Sequence, residues 1–244
     1  MSAIVVIVAK EPVAAQVKTR LCPPLSAAEA ARIYTLFIQD MVEEMSGIST
    51  VAEEPADNSR SRVELALAYT PLGAEAAFKS ILPVPVMLFP QQGADLGQRL
   101  AHIFERMCGE GYDQVNIINS DSPDLPRSLI SKAVALQEDP LTDLVLGPCC
   151  DGGYYLVGLK NPVPELFQDM PWSTDRVLEK TLDRAGTLGL SVSLLDRWYD
   201  IDTYQDLQQF LARNERRTDE DSAPGWRTLR YLRALIPPEK WVIP

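Results

Sequence analysis

The chain has 244 residues, a 46% apolar share and a formal net charge of −11. That is enough chain for one large α/β domain or two small ones with an ordinary packed core. The acidic balance argues against duplex nucleic acid or an anionic membrane as the main partner, because both select clustered basic surface.

No run approaches the ~18 apolar residues that a bilayer span needs, and the apolar start lacks the basic region of a signal peptide, so a cytoplasmic protein is expected. Cys22, Cys108, Cys149 and Cys150 form no CxxC pair and read as reduced thiols. A single histidine, His102, sits in a helical pattern as a surface or core-edge residue. Ser-His-Asp hydrolysis, Cys-His proteolysis and multi-histidine zinc sites are therefore poor readings, which leaves carboxylates, amines and a hard metal.

Ala3 to Ala9 is continuous, apolar and β-branched, as in a central parallel strand covered on both faces. The following stretch KEPVAAQVKTRLCPP cannot continue the strand, yet it collects Lys10, Lys18 and Arg20 where an anionic ligand would sit. A solvated loop whose cations balance nearby acids explains the same residues equally well. Ser26 and Glu29 have the form of a capping box, and Ile33, Phe37, Met41 and Met45 recur at helical spacing up to Gly47. Residues 48–62 read as a polar surface excursion. Strands are expected over Val63–Tyr69 and Val84–Phe89, with a short helix at Ala74–Leu82 between them.

The loop Gln91–Arg99 precedes a helix carrying Leu96, Leu100, Ile103 and Met107. Asp95 is placed to cap that helix, and Gly97 permits close approach of another backbone or a ligand. In VNIINSDSPDLP, Val115 to Pro126, a short buried strand stops where Asn119, Ser120, Asp121 and Asp124 begin. Ligands of open α/β sheets bind beyond the carboxyl ends of strands, which makes Asp121 the leading functional residue. An Asx turn capping the helix that follows Pro126 is the structural alternative, as strong as function for Asp124 and weaker for Asp121.

A helix over Ser128–Gln137 and a strand over Asp143–Gly147 come next. Asp151-Gly152-Gly153 is a turn signal, and Tyr154–Leu159 resumes a strand, so one antiparallel hairpin is expected within a mostly parallel mixed sheet. Ser173 is read as the cap of a helix that holds Val177, Leu178 and Leu182 and stops at Gly186. Ser191–Leu195 is the last strand expected. In RWYDIDTYQDL, Asp200 and Asp202 alternate along an extended segment before Thr203 starts a helix with Asp206 in its first turn. The division expected is a domain over residues 1–213, a charged linker over 214–225, and a helical tail over 226–244. That tail packs back on the domain or makes a homodimer with a second copy.

Alternating strands and helices give a three-layer α/β fold. Its strand ends supply Lys10, Lys18 and Arg20 from one side and Asp121, Asp200 and Asp202 from the other. Cations and carboxylates in one crevice suit a phosphorylated ligand with a divalent metal, which takes a few carboxylate oxygens plus phosphates. Transfer at phosphorus or at a sugar anomeric carbon is the matching reaction.

The stretch AKEPVAAQVKTRL resembles the AKxPxxGxxKTRL signature of the bacterial transferases known as radical-SAM/selenodomain-associated transferase 1. DLGQR, SDSPDLP, LGPCCDGGYYLVGL, WST and DIDTYQDL follow in that family's order up to about residue 211. The resemblance implies a Rossmann-like GT-A fold, that of nucleotide-diphospho-sugar transferases and nucleotidyltransferases. It implies that the first loop with Lys10, Lys18 and Arg20 holds nucleotide phosphates. The metal, Mg²⁺ or Mn²⁺, falls to Asp121 with Asp202 or Asp200, and Asp121 and Lys18 become the catalytic residues. Asp95, Arg99, Asp151, Gly152 and Gly153 are implied to line the site. Ala15 stands where the signature has glycine, and a Cβ at a left-handed position costs roughly 1 kcal/mol, so another loop shape is expected there. The leading function is a Mg²⁺-dependent glycosyl or nucleotidyl transferase with a small-molecule acceptor. A non-catalytic nucleotide-binding protein on the same fold is the alternative, and a hydrolase is weaker still.

Overall fold

In the computed structural model, residues 2–50, 63–217 and 223–241 are described. The excursion expected over 48–62 and the charged stretch expected over 214–225 lie partly outside them. Among the described residues a seven-stranded sheet runs β3-β2-β1-β4-β6-β5-β7. Its strands are β1 (Ala3–Lys10), β2 (Val63–Thr70), β3 (Met87–Pro90), β4 (Gln114–Ile118), β5 (Leu144–Pro148), β6 (Tyr154–Leu159) and β7 (Val192–Leu194). Every neighbouring pair is parallel except the two made by β6, which runs antiparallel between β4 and β5. The expected hairpin is thus β5–β6, with β6 inserted beside β4.

The period of two along β1 builds the layers. Val5, Ile7 and Ala9 face one apolar core, and Ile4 and Val6 face the other. The first core is covered by α1 (Ala27–Ser46), α2 (Glu75–Ile81), α4 (Arg127–Glu138), α6 (Tyr204–Arg213) and α7 (Trp226–Leu235). The second is covered by α3 (Leu96–Gly109) and α5 (Val177–Thr187), with Leu166 and Phe167 of a short 3₁₀ turn. This is the three-layer, Rossmann-like GT-A arrangement.

Local chemistry sets the helix ends. Ser26 and Glu29 form both bonds of the capping box that begins α1, and Thr203 and Asp206 do the same for α6. Asp95 accepts from the Gln98 N–H and caps α3. Two cap assignments fail. Ser173 lies at φ 64 outside the helix, and α5 begins only at Val177, with Arg176 as an N-cap that makes no side-chain bond. Neither Asp121 nor Asp124 caps α4, whose N-cap is Pro126.

The C-terminal helix α7 lies on α1 of the same chain, burying Leu229 and Leu232. Arg217 Nη2 donates to Pro224 O at 3.1 Å, linking the two ends of the charged stretch. No helix among the described residues is long and apolar enough to cross a membrane.

Candidate active site

Strands β1 and β4 are parallel neighbours with Ile7 opposite Ile118, so their carboxyl ends open on the same edge of the sheet. After β1 the chain turns through Ala15 (φ 63) and Lys18 (φ 46) into a 3₁₀ turn at Thr19–Leu21. The alternative loop shape expected from Ala15 does not occur, because the backbone keeps its left-handed conformation there. Val17 and Leu21 are buried beneath this loop. A left-handed non-glycine residue costs about 1 kcal/mol, whereas burying an aliphatic side chain contributes roughly 1.5–3 kcal/mol, so two anchors outweigh the strain.

The turn inserts the Lys18 side chain, 6% exposed, between two acids. Its Nζ lies 2.6 Å from Asp121 Oδ1 and 2.8 Å from Asp202 Oδ1, and it donates to Ile201 O at 2.6 Å, so all three ammonium hydrogens have acceptors. The rings of Tyr34 and Phe37 lie 5.9 and 5.6 Å away. Burial opposes the charge, but the Asp121 and Asp202 carboxylates prevail and hold Lys18 above the usual lysine range. Asp202 shows the reciprocal effect. Burial would raise its pKa, and Lys18 with Arg20 lowers it below the usual carboxylate range. Arg20 Nη1 stands 3.6 Å from Asp202 Oδ2 on the exposed side. The early cations and late acids are therefore in direct contact rather than on opposite walls of a void.

Main-chain bonds bring the late segment to this place. The Ile201 N–H donates to Asp121 O at 2.9 Å, and the Trp198 and Cys150 N–H groups bond to Pro148 O and Trp198 O. Asp200 accepts from Asn119 Nδ2 at 2.9 Å and Ser122 Oγ at 2.8 Å. Burial raises its pKa first and the Asp121 charge second, against these bonds. Tyr34, whose hydroxyl meets Ser120 Oγ at 2.7 Å and accepts from the Lys10 N–H at 3.1 Å, ties α1 to both strand ends. Burial and the Asp121 charge push the Tyr34 hydroxyl up to about 12, so it stays protonated.

Two cavities meet at Arg20, Asp121 and Asp202. The smaller, about 270 Å³, is walled by Lys10, Gln16, Lys18 and Thr19, and Lys10 Nζ donates to Gln16 O at 2.9 Å. The larger, about 650 Å³, has an apolar floor that includes Leu96, Leu100 and Val157, with Trp172 on one side. Asp200 and Asp202 both line it while Ile201 between them is buried, as strand alternation requires.

The other residues marked in the sequence divide. Asp151 and Gly153 line the larger cavity, and Asp151 Oδ1 accepts from the Gly153 N–H at 2.9 Å. Gly152 does not line it; at φ +90 it packs so closely that a Cβ would lie 2.0 Å from Asp175 O. Asp95 caps α3 and lines a further cavity that shares Trp172 with the larger one, and Arg99 Nε donates to Gly93 O at 3.1 Å; neither lines the two cavities around Lys18. Gly97 fulfils its expected role, since a Cβ there would come within 2.4 Å of Phe167 O.

The sequence reading missed Tyr34, hidden within a regular apolar helix; its signal was a hydroxyl on a buried face, which needs a partner. It also missed Cys149 as a neighbour of the site. Its Sγ and one oxygen each of Asp151 and Asp200 lie within 4.8 Å of one another. Burial and the nearby Asp200 charge push the Cys149 thiol well above the usual cysteine range. The carboxylate oxygens of Asp121, Asp200 and Asp202 are the donor type that a hard divalent cation takes. The convergence of Asp121 and Asp202 on one ammonium is the observation that fits them to sharing a cation.

Residues 56–174 match the family model described as "Uncharacterized protein conserved in bacteria (DUF2064)". No protein of curated function matches the chain. Among solved structures, cytidylyltransferases share the fold. CMP:2-keto-3-deoxy-manno-octonic acid synthetase complexed with CTP aligns with a TM-score of 0.54 at 13% identity, over 88% of this chain and 99% of that one. A cytidylyltransferase from Leptospira borgpetersenii serovar Hardjo-bovis (strain JB197) aligns at 0.52 and 11% identity, over 96% and 95%. A protein from Desulfovibrio desulfuricans G20, provisionally named a nucleotide-diphospho-sugar transferase, is 30% identical with a TM-score of 0.84 over 100% of both chains. The chain belongs to the family of this Desulfovibrio desulfuricans protein, within the superfamily of nucleotide-diphospho-sugar transferases.

Proposed function

We propose that this protein is a cytoplasmic, Mg²⁺-dependent transferase whose donor is a nucleotide or a nucleotide-diphospho-sugar and whose acceptor is a small molecule. The narrower resemblance to the radical-SAM/selenodomain-associated transferases belongs to the same reading. One observation carries it: the contact of Lys18 with Asp121 and Asp202 at the junction of a small cationic cavity and a larger one.

In this reading the donor phosphates occupy the smaller cavity, where Lys10, Lys18 and Arg20 neutralise their charge. Asp121 and Asp202, with Asp200 behind them, hold the divalent cation, whose chemistry when bound is stabilisation of the leaving phosphate. Lys18 is the residue that must change partners. Its ammonium now balances the Asp121 and Asp202 carboxylates, and once their charge was neutralised otherwise it would be free to turn toward the donor phosphate. Asn119 and Ser122 hold Asp200 in orientation throughout.

Calorimetric titration with nucleoside triphosphates and nucleotide sugars, each with and without Mg²⁺, tests this. Mg²⁺-dependent binding of at least one, lost in Asp121→Asn, is the expected result. Binding that survives Asp121→Asn without turnover would instead indicate a non-catalytic nucleotide-binding protein. Binding of none overturns the reading.

A further inference from the structure

The two joined cavities have opposite charge. Both share Arg20, Asp121 and Asp202; the smaller adds Lys10 and Lys18, which leaves it net positive, whereas the larger adds Asp151, Asp175 and Asp200, which leaves it strongly negative. Against those five carboxylates, the one guanidinium or ammonium group among the described residues lining the larger cavity belongs to Arg20. Lys18 lies behind this wall with its three donors already engaged. Even counting Lys18 and one divalent cation, the carboxylates stay in excess, and donor phosphates would add further negative charge.

We propose that the larger cavity selects an acceptor that is neutral or cationic and carries several hydroxyl or amino groups, and that it excludes phosphorylated and carboxylated acceptors. This rests on the transferase reading above. Three features agree on that chemistry. Ionised carboxylates only accept hydrogen bonds, so their partners must be donors such as hydroxyl or ammonium groups. Trp172 and the aliphatic floor offer an apolar surface suited to the C–H face of a compact polyol or sugar ring. A second anion brought among these like charges is disfavoured, most strongly by the half-buried Asp121, Asp200 and Asp202 and more weakly by the exposed Asp151 and Asp175, which is how charge juxtaposition enforces specificity. The cavity of about 650 Å³ is of a size for one such ring beside the donor.

The division of labour between the cavities also fixes direction. Phosphate enters on the side of the 10–20 loop, and the nucleophilic hydroxyl or amine approaches from the side of Asp151 and Asp175. Asp121 and Asp202 lie between the two.

Three probes that share a ring but differ in charge test the proposal: glucosamine, glucose and glucose 6-phosphate, titrated calorimetrically into the full chain with Mg²⁺ alone. Glucosamine and glucose should bind, and glucose 6-phosphate should bind at least tenfold more weakly. In the double variant Asp151→Asn, Asp175→Asn the gap should shrink at least threefold through better binding of the phosphate ester. The amide oxygen at position 151 can still accept the Gly153 bond, and circular dichroism of the variant checks its fold. Glucose 6-phosphate binding as well as glucose, a gap unmoved in the variant, or binding of none of the three overturns the proposal. Because no nucleotide is present in this titration, its failure is distinct from failure of the donor panel. Nucleotide binding with the charge order reversed would leave the transferase standing with a different acceptor.

Discussion

Asp40, in the middle of α1, accepts hydrogen bonds from both the backbone N–H and the hydroxyl of Thr228, at 2.9 and 2.7 Å. The Arg227 N–H adds a third at 3.2 Å, so a carboxylate from one helix caps the first turn of another whose own N-cap, Gly225, has no side chain. Arg227 also pairs with Glu43, to which Trp226 Nε1 donates at 2.9 Å. This cluster fixes the tail to its own domain.

Burial dominates at Asp40 and pushes its carboxyl up to about 6 despite the bonds from Thr228 and Arg227. The folded value lies above the unfolded value of about 3.9, so the native state binds the proton more tightly. Asp40 therefore favours folding most at low pH, and its contribution falls as pH rises from about 4 through 6. Denaturant unfolding at pH 4.5, 5.5, 6.5 and 7.5 should show wild type losing stability relative to Asp40→Asn as pH increases. A difference that does not change with pH would refute this.

Removing the ammonium between Asp121 and Asp202 leaves two adjacent carboxylates uncompensated. Breaking a fully buried pair costs about 3–5 kcal/mol, and because both acids here are more than a third exposed, Lys18→Met should cost roughly 1–3 kcal/mol. Millimolar Mg²⁺ should recover more stability in the variant than in wild type, since a divalent ion meets no resident cation. Thermal melts with and without Mg²⁺ decide the matter, and an equal response in both proteins would count against a shared cation seat.

Gly152 combines a positive φ with contact against the Asp175 carbonyl. Gly152→Ala should lose roughly 2–4 kcal/mol from strain and overpacking together. Gly186→Ala, in α5 with nothing within 4 Å, is the control and should gain about 0.5–1 kcal/mol. Denaturant midpoints that fall by the same amount in both would show that the packing against Asp175 is not what Gly152 serves.

Ala15 adopts φ 63, and glycine there removes about 1 kcal/mol of strain while giving back roughly 0.4–1 kcal/mol in unfolded-chain entropy. Ala15→Gly should therefore stay within about 0.5 kcal/mol of wild type in chemical denaturation. A larger loss would mean that the Ala15 methyl contributes to the loop.

Local pattern determined much of this molecule. The β-branched run Ala3–Ala9, the capping box at Ser26, the helix start at Thr203, the Asp95 cap and the turn at Asp151-Gly152-Gly153 each follow from neighbours in the chain, and each appears where the pattern puts it. The position of Asp121 just beyond β4 was likewise visible, because strand termination is a local event, whereas Lys18 and Asp202 lie in loops well past the ends of β1 and β7. What folding alone decided is which side chains touch across long separations. Lys18 meets Asp202 across 184 positions through a main-chain bond between Ile201 and Asp121 that no sequence period encodes. Ser173 failed as a cap and Ala15 held a strained turn for the same reason. Burial and packing contribute several kcal/mol, while local propensity is worth about one, so tertiary contacts prevail where the two disagree.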